Sequence, residues 1–572
     1  MGGPEASFFV LVFLIVLLYI KPMKDYKLIA EKLFPKCKLT IEELEDKYPA
    51  RNLPQGAKVT RVAPSPTGYM HIGHLLVALV DRRLAKQTAG TFYLRIEDTD
   101  KNREVEGAIK VVIDSLNYFG LTPDEGEAEH GKETGVYGPY KQSDRLSYYE
   151  AAAKYLVENN LAYPCFASTE ELEKMTTEQE AQKIRPGYRG KWAIWRDKND
   201  EEILAALNEG KQFVIRLRSN GDFENKIKIN DVVRGEREMS ENDLDLVLLK
   251  SDSYPTYHFA HVVDDHLMKT TDVVRGDEWL PSLPIHLQLW QAFGWSPTKY
   301  CHLSPIQKID NGNRRKLSKR KDPEANVQYF NDAGYPAQAL IEYLLNLLNS
   351  NFEDWRKANP ATPNTEFKLD VTKFPVSGAL FDQNKLDDIS KNIISGFTAE
   401  QVYDFSLEWL NKFDAEFAKT FSANPEYTKA ILSIERGTPN GRKDIAKWSD
   451  VKMEFSYFFE PFTPNIDEVK SLLVGIDWNN IVTACAKMSE QYDINDDKDT
   501  WFGKVKNIAT ELGYSTNGKE YKADPTKFKG QVGDIAKGLR VFITGRTISP
   551  DLHQIMKVLG KEKVVTRLNA FK

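Results

Sequence analysis

Arg61-Val62-Ala63-Pro64-Ser65-Pro66-Thr67-Gly68-Tyr69-Met70-His71-Ile72-Gly73-His74 is the stretch on which the fold turns. A strand pattern at residues 58–63 runs into a Pro/Gly loop, and an apolar helix is predicted from residue 72 to about 88. A second strand at 91–96 ends in Glu97-Asp98-Thr99-Asp100, and another helix is predicted at 104–119. Strand, helix, strand, helix of these lengths reads as βαβ units in a parallel sheet. Ligands of such sheets lie at the carboxyl ends of the strands, which is where residues 64–74 and 97–100 fall.

Outward from this centre the pattern changes twice. Residues 138–255 read as an insertion of helices and short strands, with 213–218 alternating as an antiparallel strand would. Parallel-sheet character resumes at Tyr257 and continues through residues 271–275. From about 325 the text is helical, 337–349 being one example. The last clear helix is predicted to start at Ser549-Pro550-Asp551, with Ser549 as cap and Pro550 at the first helical position, and to stop at Gly560. Residues 24–57 are mixed and helical, and no internal repeat appears.

Composition bounds the function. A chain of 572 residues implies about three to five domains. With 41% hydrophobic and 28% charged residues, a mostly disordered chain is excluded. Lys+Arg of 77 against Asp+Glu of 83, net −6, excludes a generally polybasic protein. Residues 501–572 nevertheless hold 14 Lys+Arg and 6 Asp+Glu, a local +8, leaving −14 for the rest. A basic end on an acidic body points to a polyanion contact there. Cys37, Cys165, Cys301 and Cys485 form no Cys-x-x-Cys pair, which argues against a disulfide scaffold or a Cys-rich zinc site and fits a reducing compartment.

Residues 8–20 are 13 consecutive apolar residues. As a helix they span about 20 Å, against about 30 Å of bilayer core. Glu5 precedes the run, no cleavage site follows, and Ala6 stands where myristoylation needs Ser or Thr. The expectation is an upstream extension of a true start at Met23. A membrane contact through residues 8–20 and a signal sequence are the less favoured alternatives.

Two elements carry chemistry. His71-Ile72-Gly73-His74 opens a helix, where free N–H groups and the positive helix end suit phosphate. Gly73 leaves room for a nucleotide, and the two imidazoles can donate to phosphate oxygens. Alone, the pair of histidines is compatible with a metal pair or a surface accident. Arg315-Lys316-Leu317-Ser318-Lys319-Arg320-Lys321 has five cations in seven residues. It reads as a solvated basic run, or as a mobile loop that neutralises a triphosphate while pyrophosphate leaves, with Ser318 as an added donor.

Together these elements resemble a class I aminoacyl-tRNA synthetase. Residues 61–68, Arg95-Ile96-Glu97-Asp98-Thr99-Asp100, Tyr254-Pro255-Thr256-Tyr257-His258 and Val274-Arg275-Gly276-Asp277-Glu278-Trp279 narrow the resemblance to bacterial-type glutamyl-tRNA synthetases, over about 58–572. The resemblance implies an α/β fold: a Rossmann-type parallel-sheet catalytic domain, an α+β acceptor-binding insertion and an all-α C-terminal anticodon-binding region. Outside it lie an apolar segment 1–22 and an N-terminal extension 23–57; its implied divisions are catalytic halves 58–137 and 256–300, an acceptor-arm insertion 138–255, a stem-contact region 301–380 with the basic loop and an anticodon region 381–572. The implied reaction is ATP-dependent ligation of L-glutamate to tRNA(Glu) through a glutamyl-adenylate, in the cytoplasm and by a monomer.

By the same resemblance, His71, Gly73, His74, Lys316, Ser318 and Lys319 are catalytic, and His71, Gly73, His74, Glu278 and Lys319 bind Mg-ATP. Glu97 and Ser65 hold the glutamate amino group, Arg61 and Tyr257 the γ-carboxylate and Arg275 the α-carboxylate, the two arginines being exchangeable. His261 stands where the family often has asparagine, and the family often replaces the second histidine that this chain keeps as His74. His258, His261, Asp264, Asp265 and His266 also offer a metal-like set, which is disfavoured because the run abuts Tyr257. No metal and no zinc is expected, only Cys165 lying in the acceptor region. A glutaminyl enzyme, a short tRNA-modifying paralogue, a nucleotidyltransferase and a membrane-tethered RNA-binding module are the alternatives.

Overall fold

The computed structural model describes residues 25–127, 132–438, 441–460 and 465–571. The apolar run at 8–20 and the expected start at Met23 lie outside them. Among the described residues no helix is long and apolar enough to cross a membrane. The chain forms two compact units, one of residues up to 328 with 344–381, the other of 329–343 with 382–572.

The first unit opens with two short helices, α1 (Tyr26–Leu33) and α2 (Ile41–Lys47). The Asp25 side chain caps α1, and a reciprocal Thr40–Glu43 capping box starts α2. Ala30, Leu44 and Tyr48 are fully buried, in one core with Tyr149, Leu156 and Phe259. Arg51 forms a two-pronged ion pair with Glu125, at 2.8 and 3.0 Å. The extension is thus built into the unit.

Strand β1 (Val59–Val62) leads to helix α3 (Ile72–Gln87), strand β2 (Thr91–Leu94), helix α4 (Ala108–Tyr118) and strands β3 (Glu125–Glu127) and β4 (Glu133–Thr134). All four residues of β1 and of β2 are buried, as expected of parallel strands covered on both faces. β1 pairs in parallel with β2 and β2 with β3, while β4 is antiparallel at the edge. Val59 lies opposite Thr91 and Val62 opposite Leu94.

Residues 138–255 contribute β5 (Ala162–Cys165), β6 (Val214–Leu217), β7 (Lys226–Asp231), β8 (Gly235–Ser240) and β9 (Val247–Leu249). The expected antiparallel strand is β6. It lies between β5 and β9, antiparallel to both, so Ile215, Arg216 and Leu217 are all buried instead of alternating. Helix α5 (Tyr257–Leu267) then leads to β10 (Asp272–Gly276) and β11 (Lys299–Leu303). β10 pairs in parallel with β11, and β11 with β7 at Tyr300–Asp231, so the β7–β8 hairpin joins the catalytic sheet. The Thr271 amide donates to the Val59 carbonyl at 2.9 Å, bringing β10 alongside β1. β12 (Ile306–Asp310) and β13 (Asn313–Lys316) form a hairpin, with β14 (Ala379–Leu380) beside β12.

The second unit is helical, and one core runs through it from Ile394 to Leu568. The last expected helix is present as Leu552–Leu559, but its cap is Asp551, whose carboxylate accepts from the Gln554 amide. A carboxylate is favoured over a hydroxyl there because it also meets the positive helix end. Ser549 is instead held by Arg540. Gly560, at φ 84°, ends the helix as read, and one more, Lys561–Leu568, follows it.

Candidate active site

A cleft of about 590 Å³ opens at the carboxyl ends of β1, β2 and β10. Arg61, Ser65, His71, Gly73, His74, Glu97, Tyr257, Arg275, Glu278, Lys316 and Lys319 all line it. Ser318 and His261 are the two expected site residues that do not.

His71 caps α3 with its ring: Nδ1 accepts from the Gly73 amide at 2.9 Å. Nε2 therefore carries the proton, and it faces the Leu317 carbonyl at 3.3 Å. One imidazole thus ties the helix start to the basic loop. A Cβ on Gly73 would stand 3.1 Å from that ring nitrogen, which favours glycine here. His74 is exposed to the cleft.

The basic loop is anchored by its apolar and structural members. Leu317 is buried. Arg315 grips Asp322 with both guanidinium nitrogens and Asp310 with Nε. Its grip holds the Asp322 carboxyl well below the usual range. The Ser318 amide donates to Asp322 at 2.9 Å. That leaves Lys316 and Lys319 facing the cleft. Lys316 pairs with Glu278 at 2.9 Å, and Lys319 donates to the Tyr69 carbonyl at 2.8 Å.

The amino-acid end of the cleft is a buried charge network. Asp265, fully buried, accepts from Arg61 at 3.2 Å and from Arg95 at 2.6 Å. Arg95 also pairs with Glu97 at 3.0 Å. Burial pushes the Glu97 carboxyl up against the pull of these arginines, so an added cation there would be welcome. Arg275 differs from Arg61. Its partners are His302 Nε2 at 2.9 Å, the Tyr257 hydroxyl and His286 Nδ1 at 3.3 Å, and the Trp279 carbonyl at 3.5 Å. None of these is an anion, so its charge faces the cleft without a counter-ion among the described residues.

His261 lies behind the cleft wall. It stacks on Tyr257 at 5.9 Å, bonds Tyr300 at 3.1 Å and faces Asp265 at 2.8 Å. Burial lowers its pKa to about 3, despite Asp265 beside it, so the ring is neutral. The metal-like set divides: His261 and Asp265 stay together, but Asp264 serves Arg145, Gln142 and Tyr149, while His266 meets Glu45 and stacks on Trp295. Sequence reasoning missed Arg95, His302 and Asp231 as site-supporting groups. The position of His302 at the end of a parallel strand was the available signal.

Two separated motifs closing on one nucleotide-sized cleft of a parallel sheet are the arrangement of a class I aminoacyl-tRNA synthetase. Residues 58–388 match the family model described as the catalytic domain of class I tRNA synthetases (E and Q), and residues 521–572 an anticodon binding domain. A glutamate–tRNA ligase of Acetivibrio thermocellus is 46% identical over 545 residues, covering 95% of this chain and 99% of its own. One of Clostridium perfringens is 44% identical over 551 residues, covering 96% and 99%. These matches exceed the span 58–572 and so reach into the N-terminal segment. The crystal structure of a glutamate tRNA ligase from Elizabethkingia meningosepticum in complex with its amino acid superimposes with a TM-score of 0.72 at 27% identity, covering 90% of this chain and 98% of that one. The chain belongs to the glutamate–tRNA ligase family.

Proposed function

We propose that this cleft activates L-glutamate with Mg-ATP and passes the glutamyl group to the 3′ end of tRNA(Glu). The observation that carries the substrate assignment is the charge arrangement. Glutamate brings two carboxylates and one ammonium. The cleft offers Arg61 and Arg275 for the carboxylates and Glu97 with Ser65 for the ammonium. With no counter-ion among the described residues, Arg275 favours the exchanged assignment in which it meets the γ-carboxylate; a neutral side chain such as glutamine's then leaves a desolvated cation unmatched.

In the first step a glutamate carboxylate oxygen attacks the α-phosphorus and pyrophosphate departs. Lys319 and Lys316 exchange their present partners for phosphate oxygens and meet the charge on the leaving group. The imidazole N–H of His74 and the α3 N-terminus are assigned to the phosphates, joined by the Nε2–H of His71 once it leaves the Leu317 carbonyl. In the second step the hydroxyl of the terminal adenosine attacks the mixed anhydride and AMP leaves. Positioning does most of the work, and no general base is invoked. Residues 138–255 are assigned to the acceptor end, 301–380 to the stem and 381–572 to the anticodon. A monomer working in the cytoplasm fits this reading.

The test is ATP–pyrophosphate exchange with glutamate or glutamine, with and without tRNA. Exchange driven by glutamate and not by glutamine is expected. Preference for glutamine, or exchange with neither amino acid in the presence of tRNA, would overturn the assignment.

A further inference from the structure

Three adjacent strands carry a buried relay that ends on Arg275. Arg275 on β10 and His302 on β11 are register partners, and Asp231 stands at the end of β7 beside β11. Their exposures are 5%, 0% and 1%. Asp231 Oδ2 lies 2.7 Å from His302 Nδ1 and accepts the His302 amide at 3.1 Å. Its other oxygen accepts the Val233 and Arg234 amides at 3.0 and 2.9 Å. A carboxylate only accepts, so His302 must carry its proton on Nδ1. The lone pair on Nε2 then faces the Arg275 Nε–H at 2.9 Å. The other tautomer would set two N–H groups against each other.

We propose that His302 and Asp231 are positioning residues for the amino-acid site: Asp231 sets the tautomer of His302, and the neutral ring holds Arg275 without neutralising it. A carboxylate in the place of the imidazole would fix the guanidinium equally well but would cancel the field that draws the substrate. The ring instead leaves a carboxylate one imidazole away. Burial, with the Arg275 charge beside it, keeps His302 below its ordinary pKa despite Asp231, consistent with an uncharged ring. The carboxylate comes from the β7–β8 hairpin, so the segment 138–255 contributes to substrate geometry as well as surface. The inference rests on Arg275 as a carboxylate-binding group.

The experiment is tRNA-supported exchange kinetics on the full chain with Arg275→Ala, His302→Leu, His302→Gln and Asp231→Asn. His302→Leu is expected to raise the glutamate KM by about 10- to 100-fold through misplacement of Arg275, with the ATP KM changed by less than about twofold. His302→Gln presents an amide oxygen to Arg275 and should recover most of that loss. An Arg275→Ala variant with unaltered glutamate KM would remove the underlying site reading. A strong Arg275→Ala effect beside an innocuous His302→Leu, or equal losses in the leucine and glutamine variants, would overturn the relay alone. If the leucine variant does not fold, Asp231→Asn decides: a raised glutamate KM at constant ATP KM supports the relay, and an unchanged one overturns it.

Discussion

Arg61 and Arg275 reach the same cleft but are held in opposite ways. Arg61 shares a buried carboxylate with Arg95, whereas Arg275 touches only uncharged groups. Breaking a buried pair costs about 3–5 kcal/mol. Arg61→Ala is therefore expected to lower the unfolding free energy by that order as well as glutamate kcat/KM. Arg275→Ala should leave thermal stability within about 1–3 kcal/mol and lower kcat/KM by several hundredfold, about 3–4 kcal/mol. Melting curves and exchange kinetics on both variants check this; equal melting losses would show that the two arginines are held alike. Both arginines were legible in the sequence as motif members. Asp265, there a possible metal ligand, anchors Arg61 together with Arg95 in the structure. Such a role is set by who faces whom across strands, and Asp231 and His302 lie 71 residues apart.

At the scale of elements, the basic loop depends on Asp322, which gathers Arg315 and the Ser318 amide. Asp322→Ala should loosen the loop and lower the exchange kcat about tenfold, about 1.4 kcal/mol, with little change in glutamate KM. A raised glutamate KM with unchanged kcat would place Asp322 elsewhere in the cycle. Helix α2 is tied down by Glu45, which accepts from Lys269 at 2.9 Å and from His266. Burial works against the Glu45 charge, but these two partners hold its pKa below the ordinary value. The tie therefore stabilises the fold above the unfolded pKa of about 4.3 and is lost as pH falls below it. Glu45→Gln should lower Tm at pH 7, and the difference from the parent should vanish by about pH 3. A difference that persists in acid would mean that packing, not charge, ties the helix. Periodicity located β1, α3, β2, α4, β6 and β10, because burial repeats locally. It did not locate the β7–β8 hairpin in the catalytic sheet, since strand pairing across 70 residues leaves no local trace. The cap at Asp551 was misread as Ser549 because both lie in a good capping context two residues apart.

For the whole molecule, the +8 of residues 501–572 resolves into two populations. Arg540, Arg546 and Arg567 are turned inward onto carbonyls or Glu454. Lys519, Lys522 and Lys529 are exposed. Residues of this segment, Leu539 and Phe542 among them, share one core with Val402 and Leu410, so its charge cannot be tested by deletion. Replacing the three lysines by glutamine should weaken tRNA binding and reduce the slope of log K against log salt by about one per contacting lysine. Unchanged affinity and slope would make that charge solvated surface only.

Because Arg275 meets the cleft with no counter-ion among the described residues, anions other than glutamate are expected to be drawn to it. Whatever small anion dominates the buffer competes for that guanidinium. Glutamate constants measured in chloride and in a bulkier, weakly coordinating anion at equal ionic strength should then differ, while those for ATP stay together. Assay composition becomes a hidden competitor, and relative affinities of variants are comparable only in a common counter-ion.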